Sequence, residues 1–143
     1  MKRILVIDDE PTVARLIRAA LEAAGVEHIL DYCSDGAQGR TKAAQGQYDL
    51  ITLDLHMPLM GGVEALREMK QNPKSADIPV VVITAQKDPT FHQRATQFGT
   101  AAVITKPFQV KELGSILARI LVGEQFEQPL GVDQDPDLRS LDT

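Results

Sequence analysis

Cysteine is nearly missing from this chain of 143 residues: Cys33 stands alone. One thiol cannot close an internal disulfide, so covalent staples are excluded, and the expectation is a reducing cytoplasm. No apolar run approaches the roughly 20 residues that span a bilayer. The N-terminus starts Met1-Lys2-Arg3 and passes at once into a short apolar run ending in acids, which is not the pattern of a signal peptide. No internal repeat is visible. Positive charge is not in excess either. Residues 1–123 hold fourteen Asp/Glu against fourteen Lys/Arg, whereas residues 124–143 hold six acids and one arginine, so the net charge of −5 sits in the tail. No basic face points to nucleic acid.

What is present is a hydrophobic content of 43%, ordinary for a globular domain and enough for one core. Short apolar runs alternate with helical patterns. Lys2 to Ile7 reads as a strand running into Asp8-Asp9-Glu10. Pro11 suits a first helical turn, where its missing N–H costs nothing. Val13, Leu16, Ile17, Ala20, Leu21 and Ala24 then mark the inner face of a helix stopped by Gly25. His28 to Cys33 is a second strand, nearer an edge, and Ser34-Asp35-Gly36 starts a weaker helix over Ala37 to Gln45. Leu50 to Leu53 is a buried strand ending at Asp54. A helix over Gly62 to Gln71 is closed by Asn72-Pro73. Val80 to Thr84 is the clearest buried strand. Asp88-Pro89 opens a helix with Phe91, Ala95 and Phe98 on one side and Gly99 at its end. Ala101 to Thr105 is a fifth strand, and Leu113, Ile116, Leu117, Ile120 and Leu121 stripe a last helix ending near Gly123.

Five strands alternating with five helices imply an α/β fold, a parallel sheet with right-handed crossovers and helices on both faces. The folded domain is expected over 1–123. Residues 124–143, with Pro129, Gly131 and Pro136 among scattered acids, are expected as an acidic flexible tail. The alternative there is a terminal helix docked through Phe126 or Leu130.

In a parallel sheet the strand ends share one edge, where ligands gather. Asp8-Asp9, Asp54, Thr84 and Lys106 all fall on it. Taken singly each has an ordinary role: Asp9 or Glu10 as a helix cap, Thr84 as a strand residue, Lys106 as a solvated charge. Together they form a kit. Crowded carboxylates repel unless a cation joins them, and carboxylate oxygens suit Mg²⁺. A lysine and a hydroxyl beside a nucleophilic carboxylate serve phosphoryl transfer.

Ile-Asp-Asp-Glu at 7–10, Leu-Asp-Leu-His-Met-Pro-Leu-Met-Gly-Gly at 53–62, Val-Ile-Thr-Ala at 82–85 and Thr-Lys-Pro-Phe at 105–108 occur in order. In these motifs the chain resembles the receiver domain of two-component response regulators, over residues 1–123. The resemblance implies a flavodoxin-like doubly wound sheet of five strands, order 2-1-3-4-5. It implies that Asp54 accepts a phosphoryl group from a phosphohistidine on a histidine kinase or histidine phosphotransfer protein. It further implies Mg²⁺ held by Asp9 directly, Asp8 mainly through water, Asp54, and the backbone carbonyl of His56. Thr84 and Lys106 would each contact a phosphoryl oxygen, and Pro107 would follow a cis bond. His56 and Gln86 are expected to tune the phosphoryl lifetime. Such a domain is a signalling switch rather than an enzyme with its own substrate. It acts on a protein target, as a monomer or weak homodimer, without direct nucleic-acid contact.

The pattern departs from the family at Val103, where many receivers carry Tyr or Phe. Gly99 to Ala102 also lack the acids often found before it. A switch working through the loop after Thr84 and the fourth helix is therefore expected. Related chemistries fit less well. A haloacid-dehalogenase-type phosphatase would place a second acid at 56, and a flavin or nucleotide carrier would place a Gly-rich loop where Asp8-Asp9-Glu10-Pro11 stands. A degenerate receiver, binding protein without phosphate, is the remaining alternative. Both a stand-alone receiver and a receiver cut from a longer chain remain open.

Overall fold

A computed structural model of the chain describes residues 1–57, 60–85, 89–123 and 130–131. The elements alternate: β1 Lys2–Ile7, α1 Pro11–Ala23, β2 His28–Cys33, α2 Gly36–Gln45, β3 Leu50–Leu53, α3 Gly62–Gln71, β4 Val80–Thr84, α4 Pro89–Gln97, β5 Ala102–Thr105, α5 Val110–Leu121 and β6 Leu130–Gly131. All strands are parallel, in the order β2-β1-β3-β4-β5-β6. The five expected strands thus stand in the expected order. A sixth, which the sequence reading did not place, widens the sheet by two residues beside β5. It falls within the stretch expected as a tail. The rest of residues 124–143 lies outside the described residues.

Side-chain alternation along the strands divides the interior into two layers. Ile4, Val6, Leu50, Val81, Ile83, Ala102 and Ile104 face α1 and α5. Leu5, Ile7, Ile51, Leu53, Val80, Val82 and Val103 face the other way, toward Leu66 and Met69 of α3 and Ala95 of α4. Every residue of β3 and β4 is buried, which is why both read as unbroken apolar runs.

Two details depart from the sequence reading of α1. Leu16 is 41% exposed, and the buried row is Val13, Ile17, Ala20 and Leu21. Leu16 lies about 100° around the helix from Ile17, past the strip that meets the sheet. Ala24 is exposed because the helix has ended at Ala23. Where α1 meets α5, a Cβ on Gly114 would come within 2.2 Å of the Ala20 carbonyl oxygen, so the absent side chain sets how close the helices lie.

Candidate functional site

β1 and β3 end side by side, with Ile7 paired to Leu53. The chains leave the sheet there, and the Asp54 N–H donates to the Ile7 carbonyl at 3.0 Å. Asp8 and Asp54 are thereby fixed as neighbours, 2% and 4% exposed. β4 and β5 end together in the same way, Thr84 beside Thr105. The Lys106 N–H donates to the Thr84 carbonyl at 2.9 Å, and the Lys106–Pro107 peptide bond is cis, as expected.

The Lys106 ammonium reaches across to the two buried acids. Its Nζ donates to Asp8 Oδ2 at 2.9 Å and to Asp54 Oδ2 at 3.3 Å, and lies 3.8 Å from Glu10 Oε1. Asp54 Oδ1 accepts from the His56 N–H at 3.0 Å, so one oxygen is held by backbone and the other by ammonium. The His56 side chain is exposed. Asp8 Oδ1 accepts from the Glu10 N–H at 2.9 Å.

These contacts set the protonation of the site. Burial pushes the Asp8 carboxyl up to about 6, against the pull of the Glu10 N–H and of Lys106, with the Asp54 charge adding to the rise. Burial alone would lower the Lys106 pKa. The bond to Asp8 and the charges of Asp54 and Asp8 outweigh that, and the ammonium is held above its usual range.

Asp8, Asp54, Thr84 and Lys106 therefore come together, Thr84 fully buried at the end of β4. Asp9 and Glu10 are exposed at the mouth. One carboxylate oxygen from each of Asp8, Asp9 and Glu10 lies within 4.8 Å of the others. Asp54 is not part of that trio, although the sequence reading placed it with Asp8 and Asp9. Glu10 is the residue the sequence reading passed over, having given it at most a capping role. It stands at the N-cap of α1 but makes no side-chain capping bond. Its signal was the third consecutive acid at a strand end. Hard oxygen donors in this number fit Mg²⁺. Gln86 lies outside the described residues, as do Pro58 and Leu59.

Gly62 supports Asp54 from behind. Its N–H donates to the Leu55 carbonyl at 3.0 Å, and a Cβ there would fall 2.2 Å from the Asp54 carbonyl oxygen. On the α2 side, a Cβ on Gly36 would meet the Met60 carbonyl at 2.9 Å, so the same loop is packed closely from two helices.

Known proteins resemble this chain in sequence and in fold. The family described as "Response regulator receiver domain" matches residues 4–118. Response regulator ArlR of Staphylococcus saprophyticus is 38% identical over 120 residues, covering 84% of this chain and 51% of the relative. The DNA-binding dual master transcriptional regulator RpaA of Synechocystis is 37% identical over 120 residues, covering 84% and 48%. The chain thus spans about half the length of the curated relatives it matches. Among solved structures, the receiver domain of sensor histidine kinase PA1611 from Pseudomonas aeruginosa, with a magnesium ion in its active-site cleft, superposes with a TM-score of 0.74 at 28% identity, over 85% of this chain and 98% of that one. With the site's geometry and these likenesses in agreement, the chain belongs to the response regulator receiver domain family.

Proposed function

We propose that Asp54 accepts a phosphoryl group from a phosphohistidine on a histidine kinase or histidine phosphotransfer protein, and that the domain then signals through changed protein contacts. The observation that carries this is the ammonium of Lys106 set between two buried carboxylates. A carboxylate is already ionised at neutral pH and needs no general base. Its obstacle is the negative charge of the incoming group, which Lys106 offsets. An Asp54 oxygen forms the bond to phosphorus as the donor's N–P bond breaks, and the imidazole leaves with a proton. Water later attacks phosphorus, releasing phosphate and restoring the carboxylate.

Asp8, Asp9, Asp54 and the His56 carbonyl are the proposed Mg²⁺ ligands, with Glu10 added as the third carboxylate of the cluster it forms with Asp8 and Asp9. A bound ion there supplies further positive charge to the phosphoryl oxygens. Thr84 is assigned to a phosphoryl oxygen, in keeping with its buried place beside the Lys106 backbone. The degenerate-receiver reading is not favoured, since Asp8, Asp9, Asp54, Thr84 and Lys106 are all present. The folded unit is taken as 1–123, with an acidic tail beyond it and a cytoplasmic setting. Among the described residues no helix is long and apolar enough to cross a membrane.

The test is incubation with Mg²⁺ and a small acyl phosphate. A phosphoryl mass increment that needs Mg²⁺ supports the reading, and no increment under any condition refutes it. A second reading of the output is favoured by one observation: the relatives are about twice as long, and RpaA is described as DNA-binding. In that case the domain regulates an attached DNA-binding part. The mass of the native protein in cell extract separates the two.

A further inference from the structure

β5 takes part in the shortest pairing among the described strands and leads directly into the lysine of the site. Toward β4 it pairs over four residues, from Ala102 to Thr105. Toward β6 it pairs over two, Ala102 with Leu130 and Val103 with Gly131. By comparison β1 and β2 pair over six. Lys106 follows directly after Thr105. Val103 therefore sits between a strand that leads to the phosphoryl site and a strand held by the smallest ladder among the described residues. Its side chain is buried in the layer that contains Ala95 of α4, with Phe98 packed against it.

The direction of β6 adds a second point. It is parallel to β5, so β6 itself runs in the direction of the edge that carries Asp54 and Lys106. The residues that follow include Asp133, Asp135 and Asp137. We propose that β6 is a releasable strap. It is paired on β5 while Asp54 is unmodified and released when Asp54 carries a phosphoryl group, baring the outer edge of Ala102 and Val103. The strap rests on the phosphoacceptor role of Asp54.

Magnitudes decide how the release works. β6 lies three strands from β3, about 14 Å at the usual spacing, beyond the screening length of about 8 Å at physiological salt. Repulsion between the new phosphate and the acidic segment is therefore a minor bias. The stronger link is covalent. Lys106 Nζ now bonds Asp8 and Asp54. A phosphoryl group on Asp54 gives the ammonium new partners and re-aims it, which displaces the end of β5. The ladder with fewest pairs gives way first. An edge strand freed of its neighbour is a template for an extended partner segment, so release would create a binding edge at the moment of phosphorylation.

Amide hydrogen exchange on the full chain tests this, read by mass over the segment 102–105 with and without Mg²⁺ and acyl phosphate. Intact mass is measured on the same samples. Gly131→Pro, which removes the strand's N–H, sets the level for a bare edge. The expected result is slow exchange in the unmodified protein and a rise to the Gly131→Pro level in the phosphorylated one. Phosphorylated protein with unchanged exchange overturns the strap and leaves the phosphoacceptor reading standing. Unmodified protein that already exchanges like Gly131→Pro overturns it as well. Absence of any phosphoryl mass overturns both.

Discussion

Beyond its N–H bond to the Ile7 carbonyl, Asp54 is held at three points: by Lys106 and the His56 N–H on its carboxylate, and by Gly62 against its backbone. Each point predicts a different failure. Gly62→Ala forces a Cβ to within 2.3 Å of the Leu55 Cα, and backbone cannot yield as a side-chain tip can. The expected cost is about 1–3 kcal/mol, read as a lower urea midpoint, together with slower phosphoryl labelling. Lys106→Ala leaves Asp8 and Asp54 facing each other without their ammonium. Labelling by acyl phosphate should slow by about tenfold or more, measured by intact mass over time. A variant that labels at the wild-type rate would remove Lys106 from the mechanism. At this scale the sequence was informative about Asp8, Asp54, Thr84 and Lys106, because an acid or lysine ending an apolar strand stands out from its neighbours. Glu10 was harder to see. A third acid before a helix looks like a cap, and only the absence of a capping bond and the approach to Lys106 separate the two roles.

At the scale of elements, two contacts fix the frame around the site. The α1–α5 crossing depends on Gly114, and Gly114→Ala should destabilise by about 1–3 kcal/mol through overpacking, seen in denaturant unfolding. At the opposite edge of the sheet, the Tyr48 hydroxyl donates to Asp31 Oδ2 at 2.6 Å, and the Arg3 guanidinium lies over the Tyr48 ring at 5.0 Å. Burial, followed by the bond to Asp31, pushes the Tyr48 phenol up to about 12 from an ordinary value near 10. The folded state thus holds this proton more tightly than the unfolded state. The resulting stability is complete below about pH 10 and lost as pH rises toward 12. Tyr48→Phe should flatten stability across that window, as measured by urea midpoints at successive pH values. Tyr32, also raised by burial, leaves a remnant.

Most elements were legible because their apolar spacing is regular. The small discrepancies have particular causes. α2 starts at Gly36 rather than Ala37, with the Asp35 carboxylate accepting the Gln38 N–H as its cap. β6 gave no pattern to read. Two residues between Pro129 and Val132 have no period, and only the open edge of β5 gives them a place.

Across the whole molecule, the proposed Mg²⁺ site predicts a stability that depends on the cation. Burial holds Asp8 in a poor place for a charge, and Mg²⁺ bound to the folded state alone would stabilise it. At a hundredfold excess over Kd the gain is about 2.7 kcal/mol, or a Tm rise of roughly 5–10 °C. Thermal unfolding with and without Mg²⁺ checks this, and Asp9→Ala should remove most of the rise. No rise in the unaltered protein would argue against a metal site at this edge.

The central claim is that phosphorus is carried by Asp54 and by no other acid of the cluster. Borohydride reduction of the phosphorylated protein converts an aspartyl phosphate to homoserine, which peptide mass then locates. The expected result is homoserine at position 54 alone, with none formed in Asp54→Asn. Homoserine at Asp8 or Asp9, or a phosphoryl mass that survives in Asp54→Asn, would contradict the account.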